Sequence, residues 1–346
     1  MSIDKDAMEQ DKIKFAVVGC GSIGRRHIAV LDAESEVEID AICDINPEAL
    51  EEQAKLYNLP TFTNFTQMLA QTQAQVISIA TPHGLHADMA IEALHAGKDV
   101  LVEKPMALTT SDCERMNAAA RATGNKLWVV KQNRHNVPVR IAKDAMDRGR
   151  LGKILMVKCD ILWNRYQGYY DDSPWRGKKA EEGGALFTQA SHFIDLLIWW
   201  CGDVEKAQCH AETQNHNIET EDSGVAILNF TSGTIGSLVW TTCVYNKNYE
   251  GSVTIIGERG TIKIGGKYLN KIEFWDVEGY PLPEGIEFSD RPNAYGKYQG
   301  TSSNHDKVVK ALISYFNRES NETVDGSEGM KSIAAIELIY KAMGNA

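Results

Sequence analysis

Between residues 13 and 130 the chain alternates short apolar, β-rich runs with helical stretches, and that alternation constrains the fold more than any other feature. The runs fall at 14–18, 40–43, 76–80, 99–102 and 127–130. Apolar strands separated by helices of this length need crossover connections, which build a parallel sheet covered on both faces. Several helix ends are legible. Asn46-Pro47-Glu48 supplies an N-cap, a proline at the first helical position and an early carboxylate. Ser111 and Glu114 have capping-box spacing, and Gly97 and Gly124 stand where helices should stop. After Pro138 the rhythm changes. A helix to about 148 leads into an alternating strand at 153–163, and a second helix spans about 188–200. Strand-like runs follow at 207–213, 224–230, 234–242, 252–256, 260–264 and 271–275, split by turns such as Thr231-Ser232-Gly233 that suit antiparallel hairpins. Helices over 306–316 and 328–343 close the chain. The fold class expected is α/β followed by α+β: a parallel-sheet domain over 13–131, then an open, mostly antiparallel sheet domain over 132–346. Residues 1–12 read as a loose charged tail.

Composition narrows the function. The 346 residues carry 36 basic and 47 acidic side chains, a net charge of −11. Non-specific nucleic-acid binding wants the opposite sign, and no apolar run approaches the roughly 18 residues of a membrane helix. The seven cysteines are an odd number, scattered and without a CxxC pair. That pattern argues against a disulfide framework or zinc ribbon and suits a reducing cytoplasm.

Gly19-Cys20-Gly21-Ser22-Ile23-Gly24 directly follows the first strand and opens a helix. In such a loop the first glycine permits a tight turn, the second admits a pyrophosphate to the backbone, and the third lets helix and strand pack closely. The helix N-terminus, through the N–H groups of residues such as Ser22 and Ile23, then faces the phosphates. Asp44 closes the second strand 20 residues after Gly24. A carboxylate there accepts hydrogen bonds from adenosine ribose hydroxyls and repels a 2′-phosphate, so the expected cofactor is NAD rather than NADP.

Two further stretches carry chemistry. Glu103-Lys104-Pro105 ends a parallel strand, where ligands bind in open α/β sheets. Lys104 there is a candidate proton acceptor, against the plainer reading of a surface cation paired with Glu103. Pro105 offers a cis bond that would aim the lysine. In a helix starting near Thr188, Thr188, His192 and Asp195 share one face, and His192 is a candidate base.

Gly19-x-Gly21-x-x-Gly24, Glu103-Lys104-Pro105 and the Gly183-Gly184…His192-x-x-Asp195 helix, in this order, resemble the glucose–fructose oxidoreductase/inositol dehydrogenase (Gfo/Idh/MocA) family over essentially the whole chain after the tail. The resemblance implies a Rossmann domain and a second sheet domain that binds substrate and whose open face often forms subunit contacts in a homo-oligomer. It also implies NAD(P) at the domain junction, near Thr81, Glu103 and Lys104, with Lys104 and His192 as catalytic residues around the reacting hydroxyl. Lys131-Gln132-Asn133-Arg134, Ser173-Pro174-Trp175-Arg176-Gly177, Gln189-Ala190-Ser191-His192, Gly265-Gly266 and Asn304-His305-Asp306-Lys307 are similar to the branch that oxidises C3 of UDP-N-acetylglucosaminuronate, whose ketone an aminotransferase then converts in surface-polysaccharide biosynthesis. By that similarity Trp175 and Arg176 border the nicotinamide, Asn133 lines the sugar pocket, and Thr188 and Gln189 lie beside the substrate. The chain departs from the family at Thr188, where many members carry an aspartate that stabilises the imidazolium.

A nucleotide-sugar brings a pyrophosphate into a net-acidic protein and so requires a local basic patch. The stretch from Trp163 through Arg165, Tyr166, Tyr169 and Tyr170 to Trp175-Arg176 mixes cations that grip anions with aromatic faces that stack on a base. Packing of this arm on a neighbouring subunit is the competing reading. Ser302, Ser303 and His305 are weaker anion candidates. His83, His86 and Asp88 invite a metal, but without a further ligand they read as a solvated or nucleotide-adjacent loop, and no metal is expected. Asp290-Arg291 reads as solvated surface. The rival functions are a dehydrogenase of a free sugar or inositol, and a non-catalytic NAD-responsive regulator on the same fold.

Overall fold

The computed structural model describes residues 12–288, 292–294 and 299–344, so the tail 1–11 and Asp290-Arg291 lie outside the described residues. The first lobe runs β1 (Ile13–Val18), α1 (Ser22–Asp32), β2 (Val37–Cys43), α2 (Pro47–Tyr57), β3 (Thr61–Phe62), α3 (Phe65–Gln71), β4 (Val76–Ile79), α4 (His86–His95), β5 (Asp99–Val102), α5 (Thr110–Thr123) and β6 (Leu127–Val129). Its six strands are ordered β3-β2-β1-β4-β5-β6 and all pair in parallel. The order in which strands are added reverses between β1 and β4, and the crevice beyond the carboxyl ends of those strands is where such a sheet binds its ligand. The pair β3 and α3 has no counterpart in the sequence reading. A two-residue strand is too short for periodicity to reveal.

The second lobe runs α6 (Val137–Asp147), β7 (Ile154–Leu162), α7 (Gln167–Asp171), α8 (Ser191–Cys201), β8 (Val204–Glu212), β9 (Ser223–Phe230), β10 (Ile235–Thr241), β11 (Glu250–Gly257), β12 (Gly260–Gly265) and β13 (Lys271–Val277), with a small pair β14 (Pro292–Ala294) and β15 (Gln299–Ser302). The large sheet has the order β13-β12-β11-β7-β10-β9-β8. Successive strands form antiparallel hairpins as expected, except that β7 inserts between β11 and β10 and pairs in parallel with β10. Two strands and two helices separate β7 from β10 in the chain, enough for the crossover a parallel pair requires.

One face of this sheet is core: Ala226, Leu228 and Phe230 of β9 are buried. The alternate residues Val225 and Ile227 are 52% and 48% exposed on the opposite face, with Met156, Ile235 and Phe274. The period of two thus places apolar side chains on both sides of the sheet.

The helices α9 (His305–Phe316) and α10 (Gly326–Met343) return to the first lobe as well as closing the second. Val308, Val309, Leu312 and Ile313 of α9 share a hydrophobic cluster with Phe15, Ile28 and Trp128. Trp128 meets Tyr315 and Phe316 edge-on, and Val129 donates its N–H to Val324 O at 2.9 Å. Among the described residues, no helix is long and apolar enough to cross a membrane.

Capping follows the sequence at α2, where the Asn46 side chain accepts from the N–H groups of Glu48 and Ala49. It departs at α5. The helix begins two residues earlier than Ser111 suggested, capped by Thr109, whose hydroxyl accepts from Asp112 N–H. The Thr109 hydroxyl in turn donates to the Asp112 carboxylate at 2.7 Å.

Trp128→Ala should lower stability by about 3–5 kcal/mol, read as a drop in the urea midpoint, because it opens a cavity where the closing helices seat on the sheet.

Candidate active site

The glycine loop joins β1 to α1, and its three glycines divide the work. Gly19 has φ +90°, and a Cβ there would sit 2.6 Å from Ala80 O. A Cβ on Gly24 would lie 1.6 Å from Gly19 O, whereas one on Gly21 would meet nothing within 4 Å. The first and third glycines are therefore packing requirements, and the second faces open space at the N-terminus of α1. That helix begins without a side-chain cap and without an acid in its first turn, which suits an anion. Asp44 straps the loop to the end of β2: its carboxylate accepts from Cys20 N–H at 2.6 Å and Asn46 N–H at 2.8 Å.

A cavity of about 890 Å³ lies between the lobes. From the first lobe it is lined by Gly19, Gly21, Ser22, Ile23, Asp44, Thr81, Glu103 and Lys104. From the second come Arg165, Tyr166, Trp175, Arg176, Thr188, Gln189 and His192. Gly24 and Asn133 do not line it. Gly24 is beneath the loop, and Asn133 is buried in a short helical turn, Gln132–His135, with neither end of its amide hydrogen-bonded among the described residues. The neighbouring Gln132 reaches the cavity instead.

Lys104 precedes a cis peptide bond to Pro105, and its Nζ donates to Thr188 O at 2.9 Å. Burial pushes its amine down to about 8, with the Lys131 and Arg165 charges adding to the effect against Glu103 and Glu182. It is not a surface cation paired with Glu103. The Glu103 carboxylate turns inward, where one oxygen accepts from His27 Nε2 at 2.8 Å and His305 Nε2 at 3.2 Å, and the other from Lys104 N–H at 3.0 Å. Burial alone would raise that carboxyl, but the hydrogen bonds and charges of the two histidines together outweigh it and hold the group well below the usual carboxylate range. His305, read as an anion contact, is thus committed to a protein carboxylate. Ser303 does not line the cavity, and the Ser302 side chain lies outside the described residues.

The helix that carries His192 differs from its sequence reading. A π-type turn over Leu186–Ala190 precedes α8, which starts at Ser191 rather than near Thr188. Thr188 and His192 line the cavity, but Asp195, expected on the same face, does not. It accepts two bonds of 2.8 Å from Arg134 and pairs with Lys131 Nζ at 3.2 Å. Cations at the end of β6 therefore draw Asp195 inward and fasten α8 to the first lobe. Burial, then the Lys104 charge, hold the His192 imidazole well below its ordinary value, so it is neutral near pH 7.

The aromatic arm folds over the cavity. Arg165 lies over the rings of Trp163 and Tyr169, and Arg176 stacks 4.2 Å above Tyr169. The Trp175 ring meets His83 edge-on. His83 and His86 are buried rather than solvated: His83 Nδ1 bonds Glu182 O, and the two nitrogens of His86 face Pro105 O and Thr81 O. Asp88 pairs with Arg115, so no metal set forms there. Among the described residues, two other clusters bring three ligand-type atoms within 4.8 Å, His27/Glu103/His305 and His216/Asp222/Cys243. In both, those atoms hydrogen-bond one another.

The sequence reading missed His27 and Glu182. His27 sits three residues beyond Gly24 on the buried side of α1, and a polar residue on such a face was the available signal.

Residues 13–131 match the model of the oxidoreductase family with an NAD-binding Rossmann fold, and 139–263 match the GFO/IDH/MocA C-terminal domain. The chain belongs to the Gfo/Idh/MocA family of NAD-dependent oxidoreductases, and its cofactor is NAD. Among solved structures, it is 38% identical to the WlbA dehydrogenase of Bordetella pertussis in complex with NADH and UDP-GlcNAcA, covering 96% of this chain and 97% of that one with a TM-score of 0.87. The WlbA dehydrogenase of Chromobacterium violaceum, crystallised with the same two ligands, is also 38% identical, over 98% and 95% of the two chains, with a TM-score of 0.89. A dehydrogenase of Comamonas testosteroni that acts on a carboxylated chloro-dihydroxycyclohexadiene is 29% identical over 71% of this chain, and the match spans 63% of that relative's length.

Because a Cβ on Gly21 meets no protein atom, Gly21→Val should leave the unfolding midpoint unchanged while weakening NADH binding, read by fluorescence titration, by roughly tenfold or more.

Proposed function

We propose that this protein oxidises the C3 hydroxyl of a UDP-linked N-acetylated hexuronate, UDP-N-acetylglucosaminuronate or a near relative, with NAD⁺ as acceptor. The observation that carries the reading is the shared cavity: a lysine from the first lobe and a histidine from the second line one space rimmed by Arg165 and Arg176. Two guanidiniums among aromatic rings suit a pyrophosphate, a sugar carboxylate and a stacked base, whereas a free inositol uses none of these charges. The two structures at 38% identity, each holding UDP-GlcNAcA, support the same substrate.

Bound NAD⁺ supplies the hydride acceptor. The chain does the rest. Ser22 and Ile23 at the start of α1 offer N–H groups to the pyrophosphate, and Asp44 receives the ribose hydroxyls. Lys104, near neutrality partly unprotonated, takes the hydroxyl proton. The neutral His192 hydrogen-bonds the same oxygen and fixes its orientation, so Lys104 is the base and His192 its partner. Trp175 and Arg176 close over the nicotinamide end, while Tyr166, Thr188 and Gln189 border the sugar.

The exposed apolar face of the large sheet supports self-association into a homo-oligomer. Seven free thiols suit a reducing cytoplasm, and a 3-keto sugar is a substrate for an aminotransferase in polysaccharide assembly.

Absorbance of NADH across a panel of UDP-sugars, free sugars and inositols tests the substrate. Turnover confined to free polyols overturns the nucleotide-sugar reading, and no turnover on any of them favours a regulatory role. Lys104→Ala and His192→Ala should each retain NADH binding and lose kcat, Lys104→Ala by about 10²-fold or more. Oxidation needs the neutral amine, so kcat/KM should climb with pH up to about 8 and then level. The reverse reduction needs the ammonium and should fall over the same range. Asp44→Ala should narrow the preference for NAD over NADP, measured as the ratio of kcat/KM values.

A further inference from the structure

Glu182 is 2% exposed and lies just before the two glycines that lead into the π-type turn. One carboxylate oxygen accepts from the Thr188 hydroxyl at 3.1 Å, and the other from the N–H of Gly177, next to Arg176. Thr188 in turn presents its carbonyl to Lys104 Nζ at 2.9 Å. A single residue therefore stands between an ammonium and a buried carboxylate, bonded to one through its backbone and to the other through its side chain.

We propose that Glu182 is a positioning residue for hydride transfer: through Thr188 it fixes the carbonyl that holds Lys104, and its negative charge stabilises the lysine cation that the reaction creates. The proposal rests on the dehydrogenase reading of this cavity. Oxidation of a carbinol releases a hydride, which NAD⁺ takes, and a proton, which the Lys104 amine takes, so the lysine passes from neutral to cationic. Charged groups face Lys104 from every side. Glu103 is on its own strand end, Lys131 at the end of β6, Arg165 after β7 and Glu182 on the loop before α8. The titratable imidazoles of His192 on α8 and His83 before α4 both lie close enough to feel its charge. Of the two carboxylates, Glu103 is engaged by two histidines, whereas Glu182 is bonded to the turn that carries the lysine's acceptor. Burial leaves the Glu182 carboxyl above the usual carboxylate range, although hydrogen bonds from Gly177 and Thr188 and the charges of Arg176 and Arg165 work against that rise.

The test separates charge from linkage. Glu182→Gln removes the charge and keeps an amide in reach of Thr188 and Gly177. In competitive acetic anhydride labelling read by mass spectrometry, Lys104 in this variant should be about threefold more reactive at pH 7 than in the wild type, since one unit charge nearby is lost. Thr188→Val keeps the charge and breaks the bridge. It should lower kcat about tenfold through misplacement of the lysine, with the Kd for NADH within about twofold. Lys104 labelling in Glu182→Gln that superimposes on the wild type overturns the proposal, as does an unchanged kcat in Thr188→Val. If Glu182→Gln does not fold, the Thr188→Val kinetics decide. The labelling needs no turnover. A wild type inactive on every UDP-sugar, yet with Lys104 labelling shifted in the variant, would overturn the substrate reading and leave this one standing.

Discussion

The hydrogen bond from Lys104 Nζ to the Thr188 carbonyl joins the lobes at the point where their chemistry meets. Everything around it keeps both ends in place. On one side, Glu103 anchors the lysine's own N–H and is itself held by His27 of α1 and His305 of α9. On the other, Asp195 fastens α8 to Lys131 and Arg134 at the end of β6. Each of these carboxylates is buried, and each is compensated by partners from a different segment of chain. Breaking such a pair from one side leaves an uncompensated charge in the interior, which is costly. The geometry of the site is thereby tied to the integrity of the junction.

This arrangement also divides the labour between the two candidate bases. Burial lowers both Lys104 and His192, but from different starting points. A lysine lowered to about 8 exchanges its proton near physiological pH. A histidine lowered well below its usual value stays neutral there.

Much of this was legible in the chain. The alternation of strands and helices fixed the parallel sheet, and the glycine loop with Asp44 located its ligand end, because those features depend on short-range periodicity and on residues adjacent in sequence. Lys104 and His192, singled out by motif, both line the cavity between the lobes. What stayed hidden depended on contacts distant in sequence. Asn133 carries a polar side chain in the right segment, but the turn that holds it aims Gln132 at the cavity instead. Asp195 has helical spacing from His192, yet two cations just beyond β6, Lys131 and Arg134, claim it. Glu182 carried no signal, since its partners, Gly177 and Thr188, become neighbours only after the loop closes. Likewise, the insertion of β7 between β11 and β10 leaves no mark on local pattern.

The return of α9 and α10 to the first lobe has a consequence for how the protein can be taken apart. Val309, Leu312 and Ile313 cover the same apolar surface as Phe15, Ile28 and Trp128, and His305 closes the triad behind the lysine. A fragment cut at the apparent domain boundary would expose that surface and lose a partner of Glu103. The nucleotide-binding half is therefore not a transplantable module: a chimera that borrows it must also borrow the last forty or so residues, or supply an equivalent hydrophobic lid.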